Sequence, residues 1–209
     1  MKVLGRIRQD FRAYTIGSLG LGLILACTGG GPPAMKGTPL LDDFQSICVA
    51  TGVDPSKIEA AVKATGAKLV DHYSSDEFGR TSTNYWKLST GGVETSIEAG
   101  FGAITASGDQ PALIITKCEI DRAEKDPAIT AAIRKWLGPA IVKQGECLFS
   151  GCDYRESNGR KTPIGGGAEY NAARDAGELM TLGYHHDRDG GHLLLTRSRL
   201  APPTSAEHR

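Results

Sequence analysis

His185, His186, Asp187, Asp189 and His192 crowd the eight residues HHDRDGGH, and imidazole with carboxylate is the ligand chemistry of zinc. A hairpin here would set His185 or His186 opposite His192 and place two ring nitrogens on one face. The spacing fits neither HExxH nor a paired Cys/His finger, and DRDGG is a turn signal in its own right. The expectation is therefore a solvated hairpin tip without metal or cofactor. His185, His186 and His192 are the residues that would have to hold an ion if one bound.

A second chemistry is nucleophilic. Cys152 beside a histidine such as His192 would form a thiolate and base, the elements of a thiol hydrolase. Cys147 lies five residues upstream, and in an oxidising compartment a disulfide between the two would remove the thiolate. The chain has no GxSxG elbow and no acidic pair of glycosidase type. Gly165-Gly166-Gly167 precedes a helical stretch but lacks the GK[ST] ending of a P-loop and the GxGxxG pattern, so a turn is expected there. Trp86, Trp136 and Tyr85 are candidates for a binding face, although Trp136 falls in an apolar helix stripe and reads better as core. The sequence therefore leans toward a non-catalytic binding or accessory module. A metal-dependent or thiol hydrolase, using the His185 to His192 cluster or Cys152, is the alternative.

These groups must be held by helices and strands that the patterning marks out. LDDFQSICVATG places Phe44, Ile47, Cys48 and Thr51 at helical spacing, with Asp42 or Asp43 as cap and Gly52 as stop. In VDPSKIEAAVKATG, Asp54 caps, Pro55 fits the first helical position and Val53 can staple onto Ile58. DPAITAAIRKWLGP repeats this grammar with Asp126, Pro127 and a stripe of Ile129, Ala132, Ile133, Trp136 and Leu137. Between the helices, Asn84 to Thr90 leads through Gly91-Gly92 into Val93, Thr95, Ile97, Ala99 and Phe101, which alternate with Glu94, Ser96 and Glu98. That is a hairpin with one wet face, followed by a β-branched run carrying Cys118. GECLFSGCDYRES reads as a strand bent at Gly151, Asn158-Gly159 as a turn, Tyr170 to Leu182 as a short helix, and GYHHDRDGGHLLLTRSRL as a closing hairpin. The fold expected is a single α+β domain with a mainly antiparallel sheet, meander plus hairpins, packed by amphipathic helices. It should span residues 43–200, with 201–209 a frayed tail.

The N-terminal segment speaks to location. Lys2, Arg6, Arg8 and Arg12 outweigh Asp10 for a net charge of +3, and Ile16 to Ala26 is an uncharged apolar run of 11 residues. A helix needs roughly 20 residues to cross the hydrocarbon core, so residues 1–26 suit a signal peptide better than a span. Ile24-Leu25-Ala26-Cys27 resembles the lipobox of bacterial lipoproteins. The resemblance implies that Cys27 receives a diacylglyceryl thioether, is freed by cleavage after Ala26 and is then N-acylated. Ordinary cleavage to a soluble protein and retention as a short anchor are the competing readings, and all three export the folded part. Residues 27–42, rich in Gly, Pro and small side chains, read as the tether.

Beyond the leader the chain carries 20 basic and 23 acidic residues, a net charge of −3, with only short basic clusters. Nucleic acid is not an expected partner. The expected partners are the membrane, through the lipid, and an envelope protein or small-molecule ligand in the periplasm. Cys48, Cys118, Cys147 and Cys152 are an even set in an exported chain, and four cysteines allow three connectivities. Cys48 with Cys118 and Cys147 with Cys152 is preferred, the alternative leaving Cys48 and Cys118 as buried thiols. The order FQSICVATGVDPSKIEAAVKATG, YWKL, TKCEI and a DP-initiated helix ending WLG resembles small exported proteins of alphaproteobacteria. That resemblance implies no activity.

Overall fold

The computed structural model describes residues 34–76, 80–104, 111–123, 127–142, 147–186 and 190–202. Its strands are β1 (Lys68–Ser75), β2 (Thr81–Thr90), β3 (Val93–Ile104), β4 (Leu113–Arg122), β5 (Cys152–Ser157), β6 (Arg160–Pro163), β7 (Leu179–His186) and β8 (Gly191–Leu200). They form one sheet in the order β1-β2-β3-β4-β8-β7-β5-β6, with every neighbouring pair antiparallel. The coarse expectation of an α+β fold built on an antiparallel sheet is met. The meander β1 to β4 meets the closing hairpin through β4 and β8, and this non-local junction sits at the centre of the sheet.

Successive side chains on a strand point to opposite faces, and the alternation of burial is plainest in the central strands β4 and β8. One face carries Trp86, Ile97, Ala99, Cys118, Ile120, Leu193 and Leu195, all buried in a single core. Helices cover that face: α1 (Pro39–Phe44) continuing as a π turn over Gln45–Val49, α2 (Pro55–Ala64) and α3 (Pro127–Leu137), followed by α4 (Pro139–Val142). Ile58, Val62, Ile129 and Ile133 complete this core, and each such side chain contributes about 1.5–3 kcal/mol of burial. Asp54 accepts hydrogen bonds from the backbone N–H of Ser56 and Lys57, which explains why α2 starts at Pro55. No helix among the described residues is long and apolar enough to cross a membrane.

Two disulfides fix the layers. Cys48–Cys118 ties the π turn to β4 across a sequence separation of 70, and Cys147–Cys152 closes a local loop. Such bonds belong to an oxidising, exported environment. Near the first of them Arg122, buried at the end of β4, donates to Thr95 Oγ1 at 2.8 Å and meets Asp43 Oδ2 at 3.2 Å, which holds α1 against the sheet.

Several elements differ from the sequence reading. The first helix begins at Pro39, because Thr38 and not Asp42 or Asp43 supplies the capping oxygen. Met35, Thr38, Leu40 and Leu41 are buried, so packed structure starts ahead of residue 43 and takes in the end of the segment read as tether. Cys147–Ser150 forms one helical turn, α5, where a bent strand was expected; Gly151 at φ +96° then turns the chain into β5. The helix expected over 170–182 is instead α6 (Gly167–Asp175), and Leu179 already belongs to β7. Strand β1 has no counterpart in the sequence reading. Cys27, the leader, Asp126, Asp187, Asp189 and the tail 203–209 lie outside the described residues.

Candidate functional site: the uncovered face of the sheet

The face opposite α1 to α4, left open over β2, β3 and β4 among the described residues, although Leu179 at the far end of β7 is buried, is built by the other half of each strand's residues. Cross-strand register lays them out in rows: Ser96, Asp121, His192 and His185 in one, Tyr85, Glu98, Glu119 and Leu194 in the next, and Thr83, Gly100, Lys117 and Thr196 in a third. Further along, Tyr73 of β1 stands beside Thr83, and Ile115 and Ile104 extend the apolar part. Side chains of the second and third rows, with Tyr73, Ile104 and Ile115, line a cavity of about 500 Å³, within the range of small-molecule sites, and the first row lies beside it.

Glycine shapes its floor. A Cβ at Gly100 would come within 2.7 Å of Thr83 Cα and 2.8 Å of Thr83 Oγ1, so no larger residue permits this approach of β2 to β3. Lys117 forms an ion pair with Glu98 across the floor. Tyr85 is also bonded to Glu98; burial first, and then the Glu98 charge, raises its phenol above the ordinary value. Burial, followed by the charges of Asp121 and Glu98, pushes the Glu119 carboxyl upward. The site is thus an apolar and aromatic hollow whose one end is polar and rich in carboxylates.

Next to that polar end, outside the cavity lining, stand His185 and His192. His185 and His192 are direct cross-strand partners, with ring centroids 6.0 Å apart. His186 points the other way and stacks on Tyr184 at 5.9 Å, so it does not join them. His192 meets a residue that its own hairpin does not supply: its Nδ1 lies 2.5 Å from Asp121 Oδ1 on β4. Glu119, two positions before Asp121, shares that face, and one ligand atom each from Glu119, Asp121 and His192 lie within 4.8 Å of one another. Neither acidic residue stands out in the sequence. The signal available was the alternation Lys117, Glu119, Asp121 on a central strand, which marks a polar face but not its partner.

The other candidates fare differently. Cys152 is buried in its disulfide with Cys147 and therefore carries no thiol, so the thiolate nucleophile has no counterpart here. At the start of α6 the carboxylate of Glu169 accepts from the Gly165 N–H at 2.5 Å, so the helix's own side chain occupies the place an anion would take. Trp86 and Trp136 are buried, Trp136 edge-on to Tyr154 with the Lys161 ammonium 3.8 Å above its ring. Of the three aromatic candidates only Tyr85 lines the cavity.

Comparison with known proteins finds no family model that matches this chain, no matching curated protein and no matching solved structure. No residue role is carried over from a relative, and the chemistry of the face rests on its own geometry.

Proposed function

We propose that this chain is an exported, lipid-anchored envelope protein whose folded part is a non-catalytic binding module, with the uncovered sheet face as its ligand surface. The observation that carries the reading is the cavity on that face, bordered by Tyr73, Tyr85, Ile104 and Ile115, with Glu98, Lys117 and Glu119 along its floor. A hollow of this composition suits a small molecule with an apolar body and a polar head group. The basic leader, the short apolar run and the lipobox-like Ile24-Leu25-Ala26-Cys27 support export and anchoring through Cys27. The two disulfides support a periplasmic location for the domain.

Two experiments test the two halves of this reading. Unreduced intact mass of the protein purified from its native envelope in detergent should equal residues 27–209 plus diacylglyceryl and acyl groups, less two hydrogens per disulfide; a mass without lipid rejects the anchor. Titration with the neutral apolar dye Nile red should give saturable fluorescence that Ile115→Glu abolishes. Unsaturable binding, or binding indifferent to Ile115→Glu, rejects the ligand surface.

A further inference from the structure

Glu119 and Asp121 alternate on β4 and therefore share the uncovered face, while the β4–β8 register sets His192 directly beside Asp121. This brings two carboxylates and one imidazole together from positions far apart in the chain, with ligand atoms within 4.8 Å of one another. We propose that Glu119, Asp121 and His192 form a binding site for one divalent transition-metal ion of the zinc type, with the adjacent His185 within reach as a fourth ligand.

The donor set fits that class of ion. One ring nitrogen and two carboxylate oxygens suit a borderline cation such as Zn²⁺, whose bonds to these atoms are about 2.0–2.2 Å. Ligand atoms around such an ion stand roughly 3.5 Å apart, so the His192 Nδ1–Asp121 Oδ1 pair opens by about an ångström from its 2.5 Å and the widest separation in the group closes by about as much. On binding, the proton shared by His192 Nδ1 and Asp121 Oδ1 leaves to solvent, and the ion takes its place between nitrogen and oxygen. All three ligands stand on regular strands in the middle of the sheet, which fixes their spacing better than a loop would. His185 is exposed on the neighbouring strand, its ring 6.0 Å from that of His192, and a rotamer change would bring a second nitrogen inward. Glu119 also borders the cavity, so the ion site adjoins the hollow. Binding of an ion here does not depend on the cavity holding an organic ligand.

The test uses the full chain with both disulfides intact, stripped of metal by chelation and titrated calorimetrically with Zn²⁺ alone. One ion should bind per chain. His192→Gln and Asp121→Asn should each weaken it by at least about tenfold, whereas His72→Gln, which removes a β1 imidazole bonded to Asn84 of β2, should leave it unchanged. Should the variants fail to fold, the ¹⁵N-labelled wild-type chain gives the same answer: Zn²⁺ should shift the ring nitrogen signals of His192 and leave those of His72 in place. Absence of a one-to-one isotherm, full affinity in folded His192→Gln or Asp121→Asn, or His192 ring signals unmoved by Zn²⁺ would overturn the site. A Nile red titration that fails while zinc binds at His192 would reject the organic-ligand surface and leave the metal site standing.

Discussion

His192 and Asp121 stand 71 positions apart in sequence, yet their side chains meet at 2.5 Å across the β4–β8 junction. The contact joins the meander to the closing hairpin on the uncovered face, so it reports on tertiary assembly rather than on either hairpin alone. A double-mutant cycle with Asp121→Asn and His192→Gln should return a coupling on the order of 1 kcal/mol in urea unfolding. Additive single-variant effects would mean that the pair does not hold together in solution.

The disulfides should differ in worth because they close loops of different length. Serine at Cys48 and Cys118 releases a loop spanning 70 positions and should lower stability by about 4 kcal/mol, against about 2 kcal/mol for serine at Cys147 and Cys152. Urea midpoints under non-reducing conditions check the order, and equal losses would contradict it.

Tyr154 is buried with no hydrogen bond to its hydroxyl among the described residues. Burial, then the charge of Glu156, holds its phenol well above the ordinary value near 10. Above about pH 10 the unfolded chain sheds a proton that the folded chain keeps, so stability falls as pH rises. Tyr85, raised for the same leading reason, adds the same sign. Tyr154→Phe should flatten the alkaline slope and stabilise the fold by about 1 kcal/mol at neutral pH, because an unmet polar group leaves the core. Thermal unfolding across pH 7 to roughly 11 would show both effects; an unchanged slope would mean that Tyr154 ionises in place.

Gly100→Ala should destabilise by about 2 kcal/mol and also weaken Nile red binding, since the new methyl group meets Thr83 and must push β2 from β3. Gly102→Ala, whose nearest neighbour would be Thr81 Cγ2 at 3.5 Å, should be tolerated far better. Equal losses at the two positions would show that the close approach of the strands is not what requires glycine.

What the sequence disclosed followed from local grammar. Asp54-Pro55 marks a helix because cap, rigid φ and apolar stripe all act within a few residues, and Val93 to Phe101 marks a strand because its alternation is strict. Strand β1 escaped because an edge strand exposed on both sides, as Lys68–Ser75 is, has no alternation to read. The turn of helix at Cys147–Ser150 is too short to show a period. The site was half legible for the same reason. The hairpin that pairs His185 with His192 is local, but Glu119 and Asp121 reach them only through the β4–β8 pairing, which no neighbouring residue announces. Burial of Met35 and Leu40 was hidden by the glycines and prolines around them, which suggest a tether although these two side chains enter the core.

The most direct test of the uncovered face as the ligand surface is the map of backbone amide shifts as Nile red is titrated into the ¹⁵N-labelled chain. Saturable changes centred on Thr83, Tyr85, Gly102, Ile115 and Thr196, with α2 and α3 undisturbed, are the predicted result. Changes confined to the helical side of the sheet, or shifts that grow without saturation, would contradict the account.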